Sequence, residues 1–162
     1  MTSQPFVLRM RRELRGTYPE PSWPAGIRIR TLNGQDKKDA KAAHAVLEAG
    51  YYEGGGGAPK FNKWWSQLKK DKEFDSELFF LASDVEGVVG ICQCWTSFFV
   101  KDVAVHPRAR RRGIARALML TAFEAFKARG AAHLELKVRE ENVAAQTLYA
   151  GLAMTVIARE PG

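Results

Sequence analysis

The sequence is poor in the residues that bind metals or crosslink chains. Its 162 residues include two cysteines and three histidines. Cys92 and Cys94 are two residues apart, which places them on one face of a strand, a poor arrangement for a disulfide. Because no second cysteine cluster accompanies them, a zinc site is not indicated. We therefore expect no bound metal and a reduced, cytoplasmic protein.

Long apolar segments are also missing. No apolar run approaches the ~20 residues that a membrane span needs, and residues 1–5 lack the apolar segment of a secretory signal. The net charge is instead strongly positive, +7, with a pI of about 9.6. This charge favours an anionic partner, such as nucleic acid, a membrane surface or a phosphate-bearing small molecule. The length and the 46% hydrophobic share predict one globular domain.

Much of the positive charge is concentrated in residues 103–118. The β-branched run Val103–Val105 ends at Pro107, and Gly113 then opens an alanine- and leucine-rich helix. Unpaired N–H groups and the helix dipole make a helix start attractive to anions, and Gly113 lets a ligand approach the backbone closely. Arginine adds bidentate hydrogen bonds to phosphate. The pattern predicts a pyrophosphate site that includes four arginines, Arg108, Arg110, Arg111 and Arg112.

The arginine run taken alone is equally typical of a solvated basic face or a nucleic-acid patch. Its position between a strand and a helix favours a local anion site. No other part of the sequence combines basic residues with aromatics as nucleic-acid surfaces do. We therefore expect neither a nucleic-acid partner nor a membrane partner.

Periodicity along the chain predicts a mixed fold of the α/β (α+β) class. Strands are predicted at 6–14, 27–32, 78–82, 88–95, 98–105, 133–138 and 155–158, and helices at 36–49, 61–72, 114–129 and 142–149. Gly50 is expected to end the first helix, and residues 84–87 form a hairpin turn. This order predicts a mixed, mostly antiparallel central sheet flanked by helices.

Two glycine- or proline-rich segments have open interpretations. Residues 18–26 contain three prolines, and they form either an extended arm anchored by Trp23 or a free tail. Residues 51–59 contain four consecutive glycines, which suit either a mobile lid rooted at Tyr51 and Tyr52 or a tolerated surface insertion.

Three features of the sequence resemble the GNAT family of N-acetyltransferases. Arg110–Ala115 is similar to the family's arginine/glutamine-x-x-glycine-x-glycine/alanine loop, and it follows a strand that ends in valine-x-proline. Asn142–Tyr149 resembles the family's asparagine-x-x-alanine-x-x-leucine-tyrosine segment. The order of elements over residues 26–158 also fits. The sequence is thus identified as a GNAT domain at 26–162, preceded by an arm or strand at 1–25 that packs on it.

The resemblance implies acetyl-CoA as co-substrate and assigns residues to it. Backbone amides of the loop would hold the pyrophosphate, and the strand before the loop would offer backbone groups to the pantetheine arm. Asn142 would also bind the pantetheine, and Tyr149 would lie near the sulfur as the general acid. The implied cofactor-binding residues are Val103, Ala104, Val105, Arg110, Arg111, Arg112, Gly113, Ile114, Ala115 and Asn142.

The implied reaction is direct transfer of the acetyl group in a ternary complex. A primary amine of a small molecule or protein attacks the thioester, and a backbone N–H near Val103 or Ala104 stabilises the oxyanion. The general base is left open among Asp102, Glu135, Glu77 and water. Asn142 also fits a helix cap, and Tyr149 also fits a core aromatic. The alternative function is a catalytically weak CoA-binding sensor or regulatory module.

The sequence departs from the family pattern after Tyr149. Alanine and methionine, in the segment Ala150–Met154, replace the usual glycine and aromatic residue. The sequence also stops at Gly162, before the family's usual final strand. Because an unpaired sheet edge invites aggregation, we expect residues Phe6–Arg12 or a partner chain to fill that place. The second arrangement would make the protein a homodimer.

Overall fold

One seven-stranded sheet organises the computed structural model, which describes residues 5–53 and 58–162. The strands are β1 (Phe6–Glu13), β2 (Arg28–Thr31), β3 (Phe74–Asp84), β4 (Gly87–Trp95), β5 (Phe99–Val105), β6 (His133–Arg139) and β7 (Thr155–Pro161). The helices are α1 (Lys37–Glu53), α2 (Phe61–Lys70), α3 (Ile114–Ala128) and α4 (Val143–Gly151), with a short 3-10 turn at Pro107–Ala109.

The strand order in the sheet is β2-β3-β4-β5-β6-β1-β7. All neighbouring strands pair antiparallel except β5 and β6, which run parallel. Pairing between β5 and β6 is confined to Phe99 with Glu135 and Val100 with Leu136, so the two strands part beyond these residues. The predicted fold class and the antiparallel order of β3, β4 and β5 are confirmed.

Strand β1 lies between β6 and β7. Val7–Glu13 pair with Arg139–His133 of β6, while Phe6–Arg11 pair with residues of β7. Leu8 and Met10 are buried in the core, as alternation along a strand requires. The sequence predicts that either residues Phe6–Arg12 or a partner chain fills the place of the missing strand. In the structure, the chain's own N-terminal strand takes that place.

The two faces of the sheet bury separate apolar layers. Helix α3 packs Leu118, Phe123 and Phe126 into the larger layer, to which β1 contributes Leu8 and Met10. Helices α1 and α2 form the smaller layer, in which Trp64 and Trp65 are almost completely buried. In α1 and α2 the buried residues recur every three or four positions, so each helix packs one apolar face against the sheet.

Helix α1 continues through Gly50 to Glu53, so the prediction that Gly50 ends it is wrong. A Cβ atom at Gly50 would lie 3.2 Å from the Cβ of Ala104 on β5. Glycine therefore permits close packing of the helix on the strand, and this tertiary contact outweighs its low helix propensity.

An ion pair between the exposed Arg30 and the buried Asp39 fixes the start of α1 against β2. Asp39 accepts hydrogen bonds from the Arg30 guanidinium at 2.6 and 2.5 Å and from the backbone N–H of Asn33 at 2.9 Å. The Arg30 hydrogen bonds outweigh burial and lower the pKa of Asp39, which keeps the carboxylate charged. This contact orients the helix whose far end reaches the site described below.

The segment before β2 packs on the body of the protein. Tyr18, Trp23 and Ile27 contact the α3 layer, and the Tyr18 ring meets Phe123 edge-on with centroids 5.6 Å apart. The glycines of the suggested lid, residues 54–57, and the side chains of Tyr51 and Tyr52 lie outside the described residues. No helix within residues 5–53 and 58–162 is long and apolar enough to cross a membrane.

Candidate functional site

The parting of β5 from β6 opens a cavity of about 740 Å³, which we call the β5–β6 cavity. Its walls are residues 100–105 of β5 and 136–139 of β6. The first turn of α3 and the loop before it also line the cavity, and α1 contributes Leu47 and Gly50. From α4 and its N-cap come Asn142, Ala144, Ala145, Leu148 and Tyr149. A cavity between two diverging parallel strands and a helix start suits an elongated ligand with an anionic end.

Most of the residues that the sequence singles out line this one cavity. They are Val103, Ala104, Val105, Arg110, Arg111, Gly113, Ile114, Ala115, Asn142 and Tyr149. Arg112 does not line it. The Arg112 guanidinium instead points to the carbonyl oxygen of Ala25, 3.4 Å away.

The loop before α3 contains two left-handed residues, and both line the cavity. Gly113, the N-cap of α3, has φ of 81°, and Arg111 has φ of 62°. A left-handed conformation at an arginine is unusual and often marks a functional loop. No side chain in the described part of the chain caps α3. The N–H groups of its first turn are therefore available to an anion.

Helix α4 and its N-cap contribute Tyr149 and Asn142 to the cavity. The Oδ1 atom of Asn142 accepts a hydrogen bond from the N–H of Ala145 at 3.1 Å, so this residue caps α4 and lines the cavity at once. Tyr149 is 7% exposed. Burial, with smaller contributions from Cys92 and Asp102, raises the pKa of its phenol. Tyr149 is therefore a protonated hydrogen-bond donor at neutral pH.

The sequence profile of the Acetyltransferase (GNAT) family matches residues 41–153. The chain belongs to this family. A mycothiol acetyltransferase from Thermobispora bispora is 32% identical, over 96% of this chain and 55% of its own length. Another, from Geodermatophilus obscurus, is 30% identical, over 88% of this chain and 50% of its own length. This GNAT chain thus spans about half the length of the curated relatives that it matches.

A solved structure supports the same fold assignment. A GCN5-related N-acetyltransferase from Sphaerobacter thermophilus superposes with a TM-score of 0.80 at 30% identity, over 96% of this chain and 50% of its own. The mixed sheet and flanking helices predicted from the sequence are therefore those of a GNAT fold.

Arg108 stands apart from the other arginines of the GNAT loop. Its guanidinium donates to Asp84 at 2.7 and 3.1 Å and lies 3.1 Å from Glu86. The Arg108 hydrogen bonds lower the pKa of Asp84 to about 2. Arg108 therefore ties the β3–β4 turn to the loop, and its side chain does not line the β5–β6 cavity. Asp84 lies 24 residues upstream, so no local pattern identifies this pair.

Sequence reasoning missed several basic residues of the GNAT cavity, among them Arg116, Lys137 and Arg139. Arg116 lies three residues after Gly113, so the 3.6-residue period would have placed it beside the helix start. Arg139 lies just beyond the predicted end of its strand.

The metal-ligating residue types form no group of three or more within residues 5–53 and 58–162. Cys92 and Cys94 are buried free thiols with their Sγ atoms 3.7 Å apart.

Proposed function

We propose that this chain transfers an acetyl group from acetyl-CoA to a primary amine of a small molecule or protein. The observation that carries the proposal is the β5–β6 cavity, which the α3 start, Asn142 and Tyr149 line together. Family membership supports it, and the related proteins named above are acetyltransferases. Because two of the relatives named above are mycothiol acetyltransferases, a small-molecule acceptor is favoured over a protein.

The residues of the cavity fit the parts of acetyl-CoA. The N–H groups of residues 111–115 suit the pyrophosphate, because this end of α3 carries partial positive charge and Gly113 presents no side chain. The Arg110 N–H instead donates to the Pro107 carbonyl oxygen at 3.4 Å. The edge of β5 over Val103–Val105 has no ladder pairing with β6 among the described residues, so its backbone groups can hydrogen-bond a pantetheine amide. Asn142 lies on the facing wall.

A second, smaller cavity gives the acceptor amine a route to the thioester. We call it the α2 cavity. It measures about 350 Å³ and shares Leu47, Lys101 and Asp102 with the β5–β6 cavity. Its remaining walls come mainly from α2 and the end of β4, including Trp64, Asp71 and Trp95. The reacting atoms would meet where the two cavities join.

The chain supplies three groups to the proposed transfer step. The amine nitrogen forms a bond to the acetyl carbon while the carbon–sulfur bond breaks, and a β5 N–H near Val103 or Ala104 stabilises the oxygen charge. The Tyr149 hydroxyl donates to the departing sulfur. Asp102 is the favoured acceptor of the amine proton, because it lies where the two cavities meet. Glu135 is held by Arg9 and Arg11, and Glu77 lies 3.5 Å from Arg129.

The proposed activity is tested by incubating the protein with acetyl-CoA and a panel of primary amines and following release of free thiol. We expect amine-dependent release, with one acetylated amine formed for each thiol released. Saturable CoA binding without turnover on any amine would contradict the transferase proposal and favour the alternative, a CoA-binding sensor. Absence of both binding and turnover would contradict both.

Two glycines at opposite ends of α3 provide a matched test of the proposed CoA site. Gly113 and Gly130 have φ of 81° and 86°, and an added Cβ would meet nothing within 4 Å at either position. Alanine should therefore strain the two sites equally, by about 1–2 kcal/mol. At Gly113 the new methyl group would also enter the space of the pyrophosphate. We expect Gly113→Ala to raise the Kd for CoA by about tenfold, or ~1.4 kcal/mol, and Gly130→Ala to leave it nearly unchanged in calorimetric titration.

Equal CoA affinities in the two variants, with equal losses of thermal stability, would contradict the assignment of the pyrophosphate to Gly113. The comparison remains valid if both variants are less stable than the parent protein, because Gly130 reports the effect of strain alone.

A further inference from the structure

Gln93 is one of three polar or charged residues that are buried in the part of the chain that the structure describes, together with Asp39 and His44. Asp39 accepts hydrogen bonds from Arg30, and the Nε2 atom of His44 lies 2.6 Å from the carbonyl oxygen of Pro59. The side-chain carboxamide of Gln93, a residue that is 4% exposed, has no such partner among the described residues. Because buried polar groups are almost always hydrogen-bonded, this carboxamide calls for a partner from outside the chain.

The α2 cavity provides the place for that partner. Gln93 lines this cavity, and in the antiparallel pairing of β4 with β5 it lies directly opposite Asp102. Opposite residues in such a ladder point to the same face of the sheet, with Cβ atoms about 4.5–5.5 Å apart. Asp102 lines both the α2 cavity and the β5–β6 cavity. A group bound where the two cavities meet can therefore contact Gln93 and Asp102 at once.

The two side chains offer different chemistry to a bound amine. The Asp102 carboxylate can take up a proton, and its Oδ2 atom lies 3.6 Å from the Nζ atom of Lys101. The Gln93 carboxamide is neutral, and its oxygen accepts a hydrogen bond without taking the proton. A primary amine has two N–H donors even in its neutral form, and leaving one of them unpaired in a buried site costs binding free energy. Gln93 is the neighbour of Asp102 that can accept the second N–H.

We propose that Gln93 selects a primary amine by holding the hydrogen that stays on its nitrogen. The nitrogen bonds to the acetyl carbon as the carbon–sulfur bond breaks, and Asp102 takes one amine proton. The departing sulfur receives a proton from Tyr149, and exchange with solvent restores both side chains.

The second amine hydrogen remains in the product amide and donates to the Gln93 oxygen throughout the reaction. This contact orients the nitrogen lone pair toward the thioester. The inference rests on the proposed function, since it names how the same site chooses its substrate.

The test compares primary amines with their N-methyl derivatives. A secondary amine has a single N–H, which it loses to the base, so nothing remains to donate to Gln93. The most active primary amine of the panel and its N-methyl derivative are assayed at saturating acetyl-CoA, with benzylamine and N-methylbenzylamine as a second pair. N-methylation changes the basicity of these amines little. We expect kcat/KM to be at least tenfold higher for the primary amine of each pair.

Substitution of Gln93 separates its hydrogen bond from the space in the cavity. Methionine is as long as glutamine but has no strong acceptor. We expect Gln93→Met to lower kcat/KM for the primary amine about tenfold and to change the N-methyl derivative little, so the ratio falls by the same factor. Gln93→Glu keeps an acceptor oxygen and should retain the ratio. Gln67→Met is the matched control for the ratio, because Gln67 lines the same cavity from α2 but is exposed.

Removal of an unpaired buried carboxamide should also make the protein more stable in the absence of ligands. Gln93 lies opposite Phe79 of β3, which is buried in the apolar layer of α1 and α2. Methionine packs well in such a layer. We expect Gln93→Met to raise the midpoint of thermal unfolding by about 2 °C or more.

The outcomes separate this inference from the proposed function. Turnover without a preference for primary amines, or a preference that Gln93→Met leaves unchanged, overturns the inference and leaves the transferase proposal intact. A Gln93→Met protein that is less stable and keeps the ratio shows that the carboxamide has a structural role only, which also overturns it. Absence of thiol release with every amine overturns both proposals.

Discussion

Replacement of Tyr149 by phenylalanine is expected to lower kcat for acetyl transfer by about 10²-fold or more, the usual contribution of a positioned general acid. The Kd for acetyl-CoA should be nearly unchanged, because the ring and its packing remain. Tyr149 is almost fully buried and lines the β5–β6 cavity. The variant thus removes one hydroxyl from the wall without opening a large void. Stopped-time thiol assays at saturating acetyl-CoA measure the effect.

The pH dependence of this effect follows from the burial of the phenol. A tyrosine loses its donor proton as pH rises through its pKa, and in this site burial raises that pKa above the usual value of about 10. The donor should therefore persist at alkaline pH. We expect the ratio of kcat between the parent protein and Tyr149→Phe to stay constant up to about pH 10.

A matched control and a contrary result complete this test. Tyr18→Phe also removes a phenol that contacts the α3 layer, but this residue does not line the cavity, so its kcat should equal that of the parent. Equal kcat for Tyr149→Phe and the parent protein would remove Tyr149 from the proposed step. A ratio that fell toward one near pH 9 would contradict the effect of burial.

Removal of β1 is expected to abolish the folded state. Deletion of residues 1–14 takes away the strand between β6 and β7 together with the buried side chains Leu8, Met10 and Leu14. Truncation of a single buried Met or Leu typically destabilises a protein by 2–5 kcal/mol, and the total stability of a domain is about 5–15 kcal/mol. We expect the truncated chain to aggregate or to show no cooperative thermal transition by circular dichroism.

Point variants distinguish loss of the strand from loss of chain length. Met10 pairs with Val156 across the β1–β7 ladder, but Met10 is 3% exposed and Val156 is 51% exposed. Aspartate at Met10 should leave the protein largely unfolded, because it buries an unpaired charge. Aspartate at Val156 should change stability by less than about 1 kcal/mol.

A synthetic peptide of residues 5–14 should also restore cooperative unfolding to the truncated chain. A truncated chain that unfolds cooperatively on its own would refute the structural role of β1.

The residues that line the β5–β6 cavity could be predicted from the sequence because their determinants are local. A strand, a loop and a helix start adjoin between Val103 and Ala115, and Asn142 caps the helix that carries Tyr149. Helix periodicity and turn chemistry fix such neighbours without knowledge of distant contacts. Residues that are neighbours in one of these segments therefore line the β5–β6 cavity together. Arg112 is the exception.

Features that depend on contacts between distant segments could not be predicted in this way. The pairing of Arg108 with Asp84 and the close approach of Gly50 to Ala104 each join separate elements. The α2 cavity, the proposed acceptor route, depends even more on such contacts, since it brings α2 and β4 beside Lys101 and Asp102, where the pairing of β4 with β5 shifts register. The sequence pattern accordingly identified a candidate base, Asp102, but not the cavities around it.

The place of β1 in the sheet also constrains the order in which the chain can fold. Residues 6–13 are synthesised before residues 133–139 and 155–161, yet these are the segments with which they pair. At about 5–20 residues per second, synthesis leaves β1 without its partners for many seconds. Contacts so distant in sequence also form slowly. During this interval, Arg9, Arg11 and Arg12 make the unpaired strand a poor template for association with other chains. The arginines of β1 thus disfavour association of the nascent chain until β6 and β7 emerge.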